Sequence, residues 1–153
     1  MSKGGKEMKK ILSVIVAGMM ILALAACGTK VEEKTVTLVG EQNGAKIEYT
    51  MFAKGDLVQK VEQVMSTDVS AYEDTDLQMA IANVKAQYDA IPGVEYTSNV
   101  VDGTLTETIV MDFTNENTAK QISEAGLMDM DGEGKISLQK TMDKMKELGF
   151  TEK

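Results

Sequence analysis

The chain has no histidine, no arginine and no tryptophan, and one proline and one cysteine among its 153 residues. Without histidine, no side chain changes charge near neutral pH at its ordinary pKa. A serine or threonine nucleophile would then need a lysine or carboxylate base, and none of Ser70, Ser98 or Ser137 stands in a recognisable context for one. Paired acids exist, as Asp74 with Asp76 and Glu32 with Glu33. Such spacing marks a helix start or a solvated stretch rather than two carboxyl groups facing across a cleft. The residue types thus point away from an enzyme. Lack of arginine, with a formal net charge of −8, removes the electrostatic footprint that a phosphate backbone requires, so nucleic acid is not an expected partner. A single cysteine also rules out an internal disulfide, leaving an apolar core to hold the fold.

The beginning of the chain is where the strongest pattern lies. Lys3, Lys6, Lys9 and Lys10 precede an apolar run from Ile11 to Ala23, shorter than the ~20 residues of a permanent membrane span. That is the layout of an export signal. It closes on Leu24-Ala25-Ala26-Cys27-Gly28, which resembles the lipobox of bacterial lipoproteins. The resemblance implies cleavage before Cys27, a diacylglyceryl thioether and further acyl chains such as palmitate on that residue, and a protein held at the extracytoplasmic face of the cell membrane. Two or three chains at ~0.8 kcal/mol per buried methylene anchor stably where one would not. Met8-Lys9-Lys10 is the more natural start of such a signal, with Met1 to Glu7 as an upstream start choice. Residues 1–26 are therefore expected as signal, 27–34 as a lipidated tether and 35–153 as one domain. Cleavage would remove four lysines and one acid, leaving 12 lysines against 23 acids, or −11.

Beyond the tether the pattern has period two. Val36 and Leu38 alternate with threonines, Asn43-Gly44 marks a turn, and Ala45, Ile47, Tyr49, Met51 and Ala53 alternate with polar positions. After Lys54-Gly55-Asp56 a third strand is expected over Leu57–Met65, with Leu57, Val61 and Met65 on one face and Val58 and Val64 on the other. Thr75-Asp76-Leu77-Gln78 has capping-box spacing, and Leu77, Ile81, Val84, Tyr88 and Ile91 recur at helical intervals until Pro92-Gly93. A second hairpin turns at Asp102-Gly103, with Val94, Tyr96 and Val100 on its first strand and Leu105, Glu107, Ile109, Met111 and Phe113 alternating against Thr106, Thr108, Val110 and Asp112 on its second. Asn115 caps a short helix carrying Ala119, Ile122 and Ala125 and ending at Gly126. Ser137 opens a last helix with Leu138, Met142, Met145 and Leu148 on one face, Gly149 ending it and Phe150 folding back. The expected fold is α+β: an antiparallel sheet of about five strands with helices mainly on one face.

Asp129, Asp131 and Glu133 occupy the first, third and fifth places of a sequence that reads like a calcium loop, with Gly134 at the sixth. The twelfth place, which needs a bidentate acid, holds Lys140. These three residues are a weak metal candidate, and an acidic turn before a helix is the reading preferred. Met128, Met130, Met142 and Met145 are soft ligands of the kind that hold Cu(I), but methionine is also a common core filler, so no cofactor is expected. Phe52 and Tyr72 are aromatics on positions expected to face solvent.

The lipobox, the hairpin from Tyr49 to Val58, the stretch Ile91-Pro92-Gly93-Val94 and the ending Lys140 to Phe150 with Leu148-Gly149-Phe150 together resemble the YehR-like lipoproteins of bacteria. The resemblance implies a small α+β envelope lipoprotein and transfers no catalytic or binding residue. The expected function is a non-enzymatic, membrane-anchored binding or scaffold module, with an envelope protein or a small ligand as its partner. The alternative is an accessory small-ligand or metal-binding lipoprotein beside a transporter. A concave apolar pocket would favour a ligand and a flat apolar patch a protein.

Overall fold

Two tight turns with positive φ at both central residues set the architecture: Asn43 and Gly44 at 51° and 81°, and Asp102 and Gly103 at 50° and 75°. Such turns match the twist of the strands they join. The first joins β1 (Glu33–Gln42) to β2 (Ala45–Lys54), and the second joins β4 (Val94–Val101) to β5 (Thr104–Asp112). Between them lie β3 (Leu57–Asp68) and α1 (Asp74–Asp89), and after them α2 (Glu116–Glu124), α3 (Leu138–Glu147) and β6 (Thr151–Glu152). The computed structural model describes residues 31–153. The signal, the lipobox Leu24-Ala25-Ala26-Cys27 and Cys27 itself lie outside the described residues. No described helix is long and apolar enough to cross a membrane.

All strands pair antiparallel in one open sheet ordered β4-β5-β3-β2-β1-β6. The α+β expectation holds, with a sixth strand added. β6 has two residues, too short to carry a period, and pairs with Leu38 and Val39. β1 begins at Glu33, opposite Lys54, so Glu33 and Lys34 belong to the sheet and not to a free tether.

The sheet presents Leu38, Ile47, Met51, Val61, Ile109 and Met111 to the helices. Ala119 and Ile122 of α2, Leu138 of α3, and Ile136 and Phe150 flanking α3 complete that core, and Val84 and Tyr88 of α1 pack against it. A second small cluster of Val69, Leu77 and Leu105 lies under the start of α1. The opposite face carries the Thr37–Thr50 hydroxyl contact at 3.2 Å and Lys60 over the Phe52 ring at 4.3 Å. Phe52 is accordingly half-buried, whereas Tyr72 is 65% exposed.

Three expectations are corrected. Val58 and Val61 are both in the core, because the register shifts between Phe52–Lys60 and Ala53–Val58, making Gln59 an extra residue that returns Val58 to the inner face. The Gln59 carbonyl then accepts the Phe113 N–H. Thr75 is not a cap: α1 starts at Asp74, Leu77 N–H donates to the Glu73 carbonyl, and Asp74 and Asp76 sit in the first turn, where the helix dipole favours acids. Leu148 is 57% exposed, since the chain turns at Gly149 with φ of 92° and Phe150 takes the core position in its place.

Candidate functional site

The segment before α3 is tied to the sheet by an acid from another turn. Asp56, in the β2–β3 turn, accepts the Ser137 hydroxyl at 2.6 Å and the Gln139 N–H at 2.8 Å, and its carbonyl accepts the Leu138 N–H. Ser137 itself accepts the Lys140 N–H, as expected of a cap. Val58 N–H reaches the Ile136 carbonyl, and Leu57 bridges Ser137. The Ser137 and Gln139 bonds hold the Asp56 carboxyl below the usual carboxylate range. Asp56→Ala is expected to cost about 1 kcal/mol, the scale of a lost helix cap. A carboxyl whose pKa falls on folding contributes its stability above the unfolded value and loses it as pH drops through the folded one. Urea midpoints measured from pH 6 down to pH 2 should therefore converge for the two proteins at the acid end.

Pinned in this way, α3 stands clear of the sheet along one side. Between them lies a cavity of about 450 Å³, within the ~300–1,000 Å³ range of ligand sites. Its floor is Tyr49 and Met51 of β2 and Val61 of β3. Along one wall run Ser137, Thr141, Met145 and Leu148, spaced three and four apart so that they share a face of α3. The other wall is the α2–α3 connection, with Leu127, Met128 and Met130 turned inward. Leu148, exposed at the end of α3, gives the crevice an apolar lip.

The connection keeps its shape through Asp131. One carboxyl oxygen accepts the N–H groups of Glu133 and Lys135, both at 2.9 Å, while the backbone pairs Asp131 with Lys135 and Gly134. The Lys135 and Glu133 N–H bonds lower the Asp131 pKa. Asp129 is bound by Lys144 across the crevice mouth, which lowers its pKa through the hydrogen bond and the charge. Glu133 pairs with Lys135 at 2.9 Å. The weak metal candidates are thus each engaged, Asp129 with the Lys144 ammonium, Asp131 with backbone N–H groups of its own turn and Glu133 with the Lys135 ammonium. Among the described residues no three His, Cys, Asp or Glu side chains form a metal-holding group. Of the methionines singled out, Met128, Met130 and Met145 line the crevice together with Met51, while Met142 packs on the core.

Tyr49 packs edge-on against Phe150, with ring centroids 5.6 Å apart. Burial raises its hydroxyl pKa, with a smaller contribution from Tyr88. Farther along the same face, Tyr88 stacks on Tyr96 at 5.4 Å, and the Tyr96 hydroxyl donates to the buried Glu107 at 2.6 Å. Burial first, then the Glu107 hydrogen bond, pushes the Tyr96 pKa up to about 12. Ser70 donates to Asp68, and Ser137 is committed to Asp56.

The curated relatives include the uncharacterized lipoprotein YehR of Escherichia coli K12, 29% identical over 110 residues covering 70% of this chain and 71% of that protein. Another is the uncharacterized lipoprotein Lmo0207 of Listeria monocytogenes, 29% identical and covering 96% of this chain and 97% of that one. The solved NMR structure of E. coli YehR shares the fold, with TM-score 0.63 and 24% identity over 79% of this chain and 91% of that one. So does the NMR structure of a protein from Streptococcus pneumoniae TIGR4, with TM-score 0.56 and 16% identity over 90% and 94%. Residues 34–151 match the family described as "Protein of unknown function (DUF1307)", and the chain belongs to that family.

Proposed function

We propose that this chain is a lipid-anchored lipoprotein of the extracytoplasmic cell envelope that binds a small apolar or amphipathic ligand in the crevice between α3 and the sheet. The anchor rests on the Leu24-Ala25-Ala26-Cys27 motif and on relatives that are themselves lipoproteins. The binding role rests on the crevice: a cavity of ligand size lined by Tyr49, Met51, Leu127, Met128, Met130, Met145 and Leu148, with charged side chains of the α2–α3 connection and of α3 beside them. Thioether side chains adapt to varied apolar shapes at low cost, as binding surfaces require. By contrast, the exposed large apolar side chains Val31, Leu57, Tyr72, Met79 and Val101 are scattered over strands, helix and loops. That scatter favours a ligand over a flat protein-docking patch. A binding role without catalysis fits a chain lacking histidine, in which Ser137, the crevice serine, caps a helix.

The anchor is tested by Cys27→Ala, which should move the protein from the membrane fraction to the soluble one. Membrane retention without a lipid mass shift would contradict it. The site is tested by titrating residues 31–153 with the neutral fluorophore N-phenylnaphthylamine. Saturable enhancement is expected, weakened at least tenfold by Leu148→Glu, since charge on the apolar lip disfavours an apolar guest. Because Leu148 is exposed, that variant should keep its melting temperature. No saturable enhancement, or equal binding by both proteins, would refute the crevice as the site.

A further inference from the structure

Resting on the crevice reading, we propose that the ligand is a single-chain amphiphile with an acidic head, of the fatty-acid class, whose chain lies along the methionine wall and whose head meets Lys140. The argument begins with charge. Residues 31–153 hold eleven lysines and twenty-three acids, yet three lysines, at 135, 140 and 144, line this crevice. Lys135 is occupied by Glu133 and Lys144 by Asp129. Lys140 makes no ion pair among the described residues. Its ammonium acts on Asp56 and Asp131 only through space, and both carboxyl groups already accept two backbone or hydroxyl hydrogens. A cation without a bonded partner at the mouth of an apolar slot is complementary to an anion carrying an apolar tail.

Position supplies the second argument. Lys140 stands in the first turn of α3, next to Thr141, about one turn before Lys144 and Met145 and about two before Leu148, so a head at Lys140 and a chain reaching Leu148 would lie along the length of the helix. The turn that caps α3 is also the place where the described chain begins: Gly55 N–H donates to the Glu32 carbonyl, and Val31 lies against Gly55. Three residues lie between Cys27 and Val31, four steps along the chain that reach at most roughly 14 Å. A lipid on Cys27 would keep this end of the domain near the membrane, where single-chain acids partition.

The test compares 11-(dansylamino)undecanoic acid with its neutral methyl ester on residues 31–153. The acid should bind about fivefold more tightly than the ester in 0.1 M salt, the scale of one partly exposed charge pair. Lys140→Gln should bring that ratio to about one, as should 1 M salt. Oleate should displace the acid probe, and vesicles of dioleoylphosphatidylglycerol should not. Equal binding of acid and ester by the unaltered protein overturns the acidic head while leaving an apolar site standing, and so does a ratio that survives Lys140→Gln. Displacement by the vesicles but not by oleate overturns the single-chain ligand. Failure of both the ester and N-phenylnaphthylamine to bind removes the crevice reading itself.

Discussion

Phe150→Ala is expected to destabilise the domain by about 3–5 kcal/mol, the range for deleting a buried aromatic ring. Phe150 is 3% exposed. Its ring lies so close to Gly40 that a β-carbon there would come within 2.6 Å of it, and it meets Tyr49 edge-on. The backbone is committed as well: Phe150 N–H donates to the Met145 carbonyl, and the next two residues form β6. Removing the ring therefore opens a cavity, loosens the last turn of α3 and frees the edge strand. Since domains of this kind are stable by only ~5–15 kcal/mol, equilibrium urea unfolding should show the midpoint falling by about a fifth at the least. A loss below 1 kcal/mol would mean that the C-terminal turn is not part of the core. The same substitution should weaken N-phenylnaphthylamine binding even where the domain remains folded, because Tyr49 loses the ring that fixes it in the crevice floor.

The second large effect lies at Tyr96. Phe in its place should cost about 3 kcal/mol, because Glu107 is only 9% exposed and its carboxyl would lose the hydroxyl that donates to it. Stacking with Tyr88 would survive, so the loss isolates the hydrogen bond. Replacing both groups, as Tyr96→Phe with Glu107→Leu, should recover most of the stability, since an apolar pair leaves no polar group unsatisfied. The unaltered protein should also show a steeper alkaline dependence than Tyr96→Phe, which keeps only the share of other buried hydroxyls such as Tyr49. The Tyr96 pKa is raised on folding from 10.0 to about 12. The contribution is therefore fully present below pH 10 and lost as pH rises through about 12. Denaturant midpoints at pH 8, 10 and 11.5 test this, and a double variant as unstable as the single one would contradict it.

What could be read in the sequence were the features that local chemistry dictates. Asn43-Gly44 and Asp102-Gly103 gave their hairpins, and Asn115 and Ser137 gave helix starts with side-chain caps. Gly149 gave the left-handed end of α3, beyond which Phe150 returns to the core. Features that depend on partners far along the chain did not announce themselves. The extra residue at Gln59 is fixed by the pairing of its neighbours, Lys60 with Phe52 and Val58 with Ala53, and by the Phe113 N–H, so a strict alternation put Val58 on the wrong face. Capping of α3 by Asp56 spans 81 residues, and no local spacing reports it. The crevice gathers Tyr49, Val61, Met128 and Leu148 from strands, loop and helix. The one available signal was Leu148, whose place on the apolar stripe looked like core until Phe150 displaced it. Lys140 was noticed for a different reason, as the residue that spoils a calcium loop. That misfit is what leaves an uncommitted ammonium at the crevice mouth.

The most direct measurement is a two-dimensional ¹H–¹⁵N NMR titration of residues 31–153 with N-phenylnaphthylamine. If the crevice is the ligand site, amide shifts should concentrate at Tyr49, Leu127–Met130 and Thr141–Leu148 and saturate together. Shifts centred on Thr37, Thr50, Phe52 and Thr108 of the opposite sheet face, or no saturable shifts at all, would contradict it.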